Sequence, residues 1–371
     1  MKKRAKIIIA VVCAVLVAGG AVAYAFLPHP LNYPIGSIKS VGSSVVVSSK
    51  TDDSVTIYKE GGGEFKILMF TDMHLDGDNS TSYTTVSHLV DNITREKPDL
   101  VLLGGDNVTS ALNSVRCRQL AKIFEKLGVY WAGILGNHEG DNTLSASREK
   151  MMKIFTSHEH CLMLTGPEDI DGCCNYALTI TDPDGGHLHT FFCLDTHDRM
   201  SAELKEQYGL DPEERYYDGV HPNQVEWYSA KAAELVAAYP GCRSTVLIHI
   251  PLPQYEEAAQ TGDFIYGGKL ENVCDSEYDS GLFAAIKESA TTQTVFCGHD
   301  HLNTFGALYD GVILSYIEPS GYGSYSAGSK LGYEEKDWLQ GYTMLTVKAD
   351  GTYAHKQVRN SAIPVEPSAS E

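Results

Sequence analysis

Five short polar clusters in this sequence combine carboxylates, amides and imidazoles, and each follows an apolar run. Taken singly, each has an ordinary structural explanation, such as a helix cap, a polar turn or a hydrogen-bonded core histidine. Five in succession are better explained by one shared metal site. In chain order they are Thr71-Asp72-Met73-His74, Gly104-Gly105-Asp106-Asn107, Gly136-Asn137-His138-Glu139, His249-Ile250-Pro251 and Gly298-His299-Asp300-His301.

The apolar runs before the first three clusters alternate with helical patterns. We predict strands at Phe65–Phe70, Leu100–Leu103 and Val129–Leu135, with a helix at Tyr83–Arg95 and another through residues 120–127. This order predicts parallel strands that are joined by right-handed crossovers. Ligands of such sheets gather beyond the carboxyl ends of the strands, so the clusters should converge there.

The second half of the sequence is also mixed. A turn signal, "DPDGG", separates two strand candidates, two further helices each precede a strand, and short strands with Gly and Asp turns end the domain. The fold class is therefore α/β with an antiparallel C-terminal portion. The predicted elements are the strands Tyr176–Thr181, Leu188–Leu194, Ser244–Ile250 and Thr294–Cys297 and the helices Gln224–Ala238 and Ser280–Ser289.

The clusters supply more donor groups than one ion can use. Residues at i and i+2 of an extended segment point to the same side, so Asp72 with His74, and His299 with His301, can each present two groups to one site. Two ions about 3.5–4 Å apart can share the set if one carboxylate bridges them. A mixed N/O set without thiolates favours Mn, Fe, Zn or Co. The candidate ligands are Asp72, His74, Asp106, Asn137, His249, His299 and His301.

As an ordered set, D-x-H, G-G-D-N, G-N-H-E, a lone histidine after a strand and G-H-x-H resemble the calcineurin-like metallophosphoesterase superfamily. The resemblance implies a four-layer α/β/β/α sandwich of mixed sheets. It also implies that one metal is held by Asp72, His74, Asp106 and His301. The other metal is then held by Asp106, Asn137, His249 and His299, with Asp106 bridging.

Other stretches resemble the branch related to purple acid phosphatases: "HIPLPQY" (His249–Tyr255), "VFCGHDHLNTF" (Val295–Phe305) and "SGYGSY" (Ser320–Tyr325). Purple acid phosphatases bind ferric iron through a tyrosine three residues after the bridging aspartate. Here that position is Thr109, so a ferric-tyrosinate site is not expected.

The expected chemistry is the hydrolysis of a small phosphate ester. A water shared by two cations loses its proton near neutral pH, and the same cations neutralise the phosphoryl oxygens. His138 is the candidate general acid, because imidazole titrates near neutrality. His197, which follows the strand "TFFCLD", and Tyr322 and Tyr325 in a glycine-rich loop are candidate substrate contacts. The expected activity is that of a phosphomonoesterase or a phosphodiesterase.

The first residues predict export. Lys2, Lys3, Arg4 and Lys6 precede an uncharged run of 21 residues from Ile7 to Leu27, which suits a signal peptide or an N-terminal membrane anchor. Without these cations, 25 Lys and Arg stand against 48 Asp and Glu, a net charge of −23. Such a surface repels nucleic acid, so no nucleic-acid partner is expected. A membrane is a partner only if the leader is uncleaved.

The predicted organisation is a leader (1–27), a linker (28–63) with one short strand at Ser54–Tyr58, a metallophosphoesterase domain (64–358) and a disordered tail (359–371). Eight cysteines follow the leader, and the only disulfide we suggest joins Cys161 to Cys173 or Cys174. The alternative to an enzyme is a catalytically silent cell-surface binding protein on the same fold. An intact ligand set argues against it, because a degenerate site should have lost ligands.

Overall fold

The computed structural model describes residues 31–76, 79–111, 113–140, 145–327, 330 and 339–360. Within these residues the chain forms two mixed sheets with helices on their outer faces. The strands are β1 (Val45–Lys50), β2 (Ser54–Lys59), β3 (Phe65–Phe70), β4 (Leu100–Gly104), β5 (Tyr130–Ile134), β6 (Tyr176–Thr181), β7 (His187–Cys193), β8 (Ser244–Leu247), β9 (Phe264–Tyr266), β10 (Thr292–Cys297), β11 (Gly306–Tyr309), β12 (Val312–Tyr316), β13 (Gly341–Val347) and β14 (Tyr353–Arg359).

The helices begin and end with recognisable local signals. Ser147 accepts a hydrogen bond from Lys150 N at the start of α3, and Gly128 adopts a left-handed conformation directly after α2. Pro222 is the first residue of α5. The helices are α1 (Asn79–Glu96), α2 (Ser114–Leu127), α3 (Arg148–Thr156), α4 (Ala202–Gln207), α5 (Pro222–Ala238), α6 (Gln254–Thr261) and α7 (Leu282–Ser289), with 3-10 turns at Ile35–Ser37 and His138–Gly140.

The smaller sheet has the strand order β14-β13-β3-β4-β5, and the larger has the order β1-β2-β6-β7-β8-β10-β12-β11-β9. In the smaller sheet β3, β4 and β5 are parallel. In the larger sheet β7, β8, β10 and β12 are parallel. Each sheet therefore has a parallel centre whose strands end at one edge.

Two hydrophobic cores arrange these elements in layers. One core joins the sheets, with Ile67 and Val101 from the smaller sheet near Phe191 and Phe296 from the larger, and it extends to α1 and α2. The second core lies between the larger sheet and α5, α6 and α7. The result is the predicted α/β/β/α sandwich, so the fold-class prediction is confirmed.

The segment expected to be a linker contains two strands of the larger sheet. β1 pairs with β2, and β2 continues the sheet by parallel pairing with β6. Val55 and Ile57 are fully buried, so the alternating pattern Ser-Val-Thr-Ile-Tyr outweighs the Ser, Gly and Lys content that suggested a tether. The folded unit therefore begins before residue 64.

The structure describes only some of the residues on which the other predictions about the chain termini depend. The predicted leader and residues 361–371 of the predicted tail lie outside the described residues, whereas Arg359 ends β14. Within the described ranges, no helix has the length and apolar character that crossing a membrane requires. All eight cysteines after the leader are free thiols, so the suggested disulfide of Cys161 is absent.

Candidate metal centre

Two buried aspartates each leave one oxygen without a hydrogen-bond partner. Asp72 follows β3, and its Oδ2 accepts hydrogen bonds from Thr71 Oγ1 (2.8 Å) and from His299 N (3.0 Å). Asp106 follows β4, and its Oδ1 accepts one from His138 N (2.8 Å). Asp72 Oδ1 and Asp106 Oδ2 are buried and unpartnered. Because an unpaired buried carboxylate oxygen is costly, these atoms indicate that a cation belongs between them.

The first group of donors lies around Asp72. His74 Nε2 is 3.1 Å from His301 Nε2, and His301 Nε2 is 3.4 Å from Asp72 Oδ1. Two nitrogens about 2.1 Å from one ion are about 3.0 Å apart in octahedral geometry and about 3.4 Å apart in tetrahedral geometry. The observed separations therefore fit one ion that all three side chains hold.

The second group lies around His249. Its Nε2 is 3.3 Å from Asp106 Oδ2 and 3.1 Å from Asn137 Oδ1, and its Nδ1 lies 2.8 Å from Gly104 O. The carbonyl fixes the proton on Nδ1, which leaves Nε2 as the free donor. His299 completes the group, because Asp106, His249 and His299 have donor atoms within 4.8 Å of one another. Both ring nitrogens of His299 are buried and unpartnered.

Asp106 lies between the groups. Its Oδ2 is 3.5 Å from His74 Nε2 in the first group and 3.3 Å from His249 Nε2 in the second. One oxygen is thus within ligand–ligand distance of both sets, as a bridging carboxylate requires. The structure brings together all seven predicted ligands.

The backbone at these positions is strained. Four of the seven residues have positive φ angles: Asp72 (54°), His74 (44°), Asp106 (50°) and His299 (76°). Residues other than glycine rarely adopt this conformation, and where they do, the surrounding structure must compensate for its cost. Such strain at three converging strand ends is typical of a functional site.

A buried glutamate holds together two of the loops that carry the predicted ligands. Glu139 Oε1 accepts hydrogen bonds from Asn107 N (2.7 Å) and Asn107 Nδ2 (3.0 Å), and its Oε2 accepts one from Gly136 N (2.9 Å). It therefore joins the loop after β4 to the loop after β5. Gly136 must be glycine, because a Cβ there would lie 2.2 Å from Asp106 Oδ1.

The electrostatics of the metal-free site favour deprotonated carboxylates. Burial raises the pKa of Asp72, but the nearby imidazoles of His301 and His74 outweigh it and place the pKa well below its ordinary value. Burial lowers the pKa of His249, but the charge of Asp106 outweighs it and raises the pKa to about 10. Burial places the pKa of His299 well below its ordinary value. Binding of a cation would displace the proton that His249 carries, as is usual for metal sites.

Two more predicted residues adjoin the centre. The half-buried ring of His138 lies 5.3 Å from that of His74, centroid to centroid. The ring of Tyr325 stacks on His301 at 4.4 Å, and its hydroxyl donates to Glu271 Oε1 (2.9 Å). These two residues therefore border the group around Asp72.

Two predicted substrate contacts have other neighbours. Tyr322 stacks on His88 of α1, and its hydroxyl accepts a hydrogen bond from Asn360 Nδ2. His197 stacks on His221 at 4.0 Å, and its Nε2 lies 3.2 Å from Gln224 Oε1. Neither of these contacts involves a member of the two donor groups, and the role of both residues as substrate contacts stays a prediction.

Asp300, between two predicted ligands, points away from the donor groups. Its carboxylate accepts hydrogen bonds from Tyr316 Oη (2.5 Å), Asn303 Nδ2 (3.1 Å) and Cys274 N (3.2 Å). Burial raises its pKa to about 6. Asp300 therefore holds the loop after β10 and is neither a ligand nor a solvated turn residue.

Two further residues, one aromatic and one cationic, adjoin the second donor group. Tyr217 makes an edge-to-face contact with His299, with ring centroids 4.4 Å apart, and Arg199 lies over the ring of Tyr217 at 3.8 Å. Tyr217 reaches His299 from a loop far away in sequence, so only tertiary packing brings these two rings together.

Two sandwiched mixed sheets with paired carboxylate, amide and imidazole donors at the ends of their parallel strands define a metallophosphoesterase. Residues 65–303 match the family model described as calcineurin-like phosphoesterase. The chain belongs to this family, as its motifs predicted.

Comparisons with known proteins agree on the family and the fold. The chain is 30% identical over 300 residues to "Probable inactive purple acid phosphatase 14" of Arabidopsis thaliana, covering 71% of this chain and 72% of that one. It is 28% identical over 304 residues to "Probable inactive purple acid phosphatase 29" of the same plant, covering 74% and 75%. A crystal structure of a dimetal phosphatase from Danio rerio superposes with a TM-score of 0.51 at 15% identity, covering 80% of this chain and 96% of that one.

Proposed function

We propose that the protein is an exported hydrolase of small phosphate esters that uses two transition-metal ions. The observation that carries the proposal is the pair of unpartnered oxygens, Asp72 Oδ1 and Asp106 Oδ2, each facing imidazole nitrogens at ligand–ligand distances. Fe, Mn, Zn and Co suit these donors.

The roles of the side chains follow from their positions. Asp72, His74 and His301 would hold one ion, Asn137, His249 and His299 would hold the other, and Asp106 would contribute to both. Two ions in such a site supply a nucleophile at neutral pH and neutralise the charge that develops on the phosphoryl oxygens. His138, beside His74 and partly open to solvent, donates a proton to the departing alkoxide.

The chain's own residues also limit access to the centre. Tyr325 covers one face of His301, and Tyr217 contacts His299. Both rings therefore border the centre, and Lys330 Nζ lies 4.4 Å from the centroid of the Tyr325 ring. This lysine is a cation that a phosphorylated substrate can meet. The net charge of −19 supports a small phosphorylated substrate over a nucleic acid.

The competing proposal is a catalytically silent binding protein. The word "inactive" in the names of two plant relatives favours it for those proteins. In this chain, however, the seven donors converge, their hydrogen bonds leave the inward atoms free, and the strained backbone is retained. A silent site has no need for unpaired buried carboxylate oxygens, which supports the enzyme.

The test is metal analysis followed by a substrate panel. Protein expressed with Fe, Mn, Zn or Co would be assayed with one aryl phosphate monoester and one aryl phosphate diester at several pH values. The proposal expects turnover that requires metal and is lost in the double variant Asp106→Ala/His249→Ala. Full activity in that variant would refute the mechanism, and absence of turnover with every metal would favour the binding protein.

A further inference from the structure

A third cluster of metal-binding side chains lies outside the two donor groups. His197, Asp218 and His221 each offer a donor atom, and these atoms all lie within 4.8 Å of one another. His197 belongs to the loop after β7, whereas Asp218 and His221 directly precede α5. Asp218 is buried and both histidines are half-buried. We propose that this cluster binds a further transition-metal ion, separate from the binuclear centre.

Both ring nitrogens of His221 face carboxylate oxygens, so a positive charge must lie on the ring or beside it. Its Nδ1 lies 2.8 Å from Asp171 Oδ2, and its Nε2 lies 3.1 Å from Asp218 Oδ1. A neutral imidazole has only one N–H, so it can donate to only one of these carboxylates. With the proton on Nδ1, the lone pair of Nε2 faces a carboxylate oxygen, and a positive charge must lie between them. A metal ion meets this need as a proton does, and 3.1 Å matches the separation of two ligands on one ion.

The surrounding groups orient the donors as metal ligands are usually oriented. A carboxylate on the remote nitrogen of a histidine ligand fixes its tautomer, and Asp171 occupies that position on His221. Asp218 Oδ1 is held by Tyr278 Oη (2.9 Å) and by Gly219 N (2.8 Å).

Gln224 fixes the tautomer of His197, as Asp171 does for His221. Its Nε2 donates to Asn175 Oδ1 and to Asp195 O, so its Oε1 faces His197 Nε2 as an acceptor. One nitrogen of His197 is thereby protonated, and the other carries the lone pair that an ion needs. Three N/O ligands and a water would complete a tetrahedron once the donor atoms, now within 4.8 Å of one another, close around an ion.

The location gives the ion a structural role near the binuclear centre. Asp218 N donates to Asp198 O, Met200 N donates to Tyr216 O, and Tyr217 lies between them and contacts His299. An ion between His197 and Asp218 would fasten the same two segments together. It would thereby hold Tyr217 against His299.

The test counts zinc ions and does not depend on catalysis. Wild type, His221→Ala, Asp106→Asn and the double variant would be stripped with a chelator, reloaded with Zn²⁺, desalted and measured by elemental mass spectrometry. The proposal expects about three zinc ions in wild type. It also expects His221→Ala to lose one ion in both backgrounds, and the control His158→Ala, a half-buried histidine elsewhere, to lose none.

A second variant, His197→Gln, covers the case in which His221→Ala does not fold, and circular dichroism checks folding. The proposal expects the same loss of one ion in His197→Gln. A zinc count that is unchanged in both folded histidine variants overturns the proposal, whatever the wild-type count. The cluster would then be a cap in which a protonated His221 joins two carboxylates. Loss of phosphate-ester turnover in Asp106→Asn bears only on the proposed function, so the two failures are distinguishable.

Discussion

Removing the metals should strongly destabilise the fold, because metal-free protein buries polar atoms that nothing satisfies. The relevant groups are the carboxylates of Asp72 and Asp106, each with one unpartnered oxygen, and the ring of His299, whose nitrogens have no partner. A buried unsatisfied group costs about 1–3 kcal/mol, so three groups amount to about 3–9 kcal/mol. Mass action gives a similar value, about 4 kcal/mol for a ligand at a thousand times its dissociation constant.

The assay is urea unfolding of the full chain, once with a chelator and once with excess Mn²⁺. The wild type should lose about 3–9 kcal/mol of unfolding free energy when the metal is removed. In Asp106→Asn most of this difference should disappear, because the carboxylate between the two donor groups is gone. The control Asp184→Asn changes an exposed carboxylate in the turn between β6 and β7 and should keep the full difference.

Equal unfolding free energies of chelated and loaded wild type would refute the reasoning. They would mean that the unpartnered oxygens of Asp72 and Asp106 are satisfied by solvent or by rearrangement rather than by ions. A metal effect that is unchanged in Asp106→Asn would refute the bridging role alone.

Three other variants test separate parts of the account. His138→Gln should lower kcat about 10²–10⁴-fold for an alkyl phosphate, whose leaving group needs a proton, but far less for an aryl phosphate; equal losses for both would exclude a general acid. Glu139→Gln turns an N–H donor toward Gly136 N and should weaken metal retention about 10–100-fold in a chelator competition; unchanged retention would contradict the supporting role. Burial lowers the pKa of His189 to about 3, so the unfolded chain binds the extra proton below pH 6.5 and acid should destabilise the protein. In metal-free protein this residue should account for about 2 kcal/mol lost between pH 6.5 and 5, measured by urea unfolding, and His189→Gln should remove that part of the slope.

The sequence predicted the parallel centres of both sheets well. β3 has the predicted limits, and β4 and β5 end within a residue of them. Long apolar runs are strong signals, because buried strands of parallel sheets are apolar on both faces. β8 is shorter than predicted, because it ends at Leu247. Ile248 and Ile250, which made the strand look longer in the sequence, are buried in the loop that follows.

The candidate ligands were predictable because they directly follow these apolar strands. A strand end specifies which edge of the sheet a residue occupies, and the seven donors follow the carboxyl ends of parallel strands in the two sheets. It does not specify where the side chain points, as His197 shows. This residue also follows a strand, but its backbone has a φ of 57° and its ring lies against His221. Tyr217 was not predictable as a neighbour of His299, because only tertiary packing brings them together.

β1 was missed, and β2 was predicted as a short strand but assigned to the linker, for a compositional reason. The segment is short of large apolar residues, and only Val45, Val55 and Ile57 of these strands are buried. An edge position needs little apolar surface, so composition suggested a linker. Pairing of β2 with β6 supplies the missing stability through backbone hydrogen bonds.

The central claim is that the convergent donors form an active centre, and turnover of an aryl phosphate ester by the metal-loaded chain tests it most directly. The account predicts turnover by wild type and by the control Asp184→Asn. It predicts a loss of at least about 10³-fold in Asp106→Asn, in line with removal of a group that stabilises transition-state charge. Equal rates in folded wild type and Asp106→Asn, or no turnover by wild type that holds its metals, would contradict it.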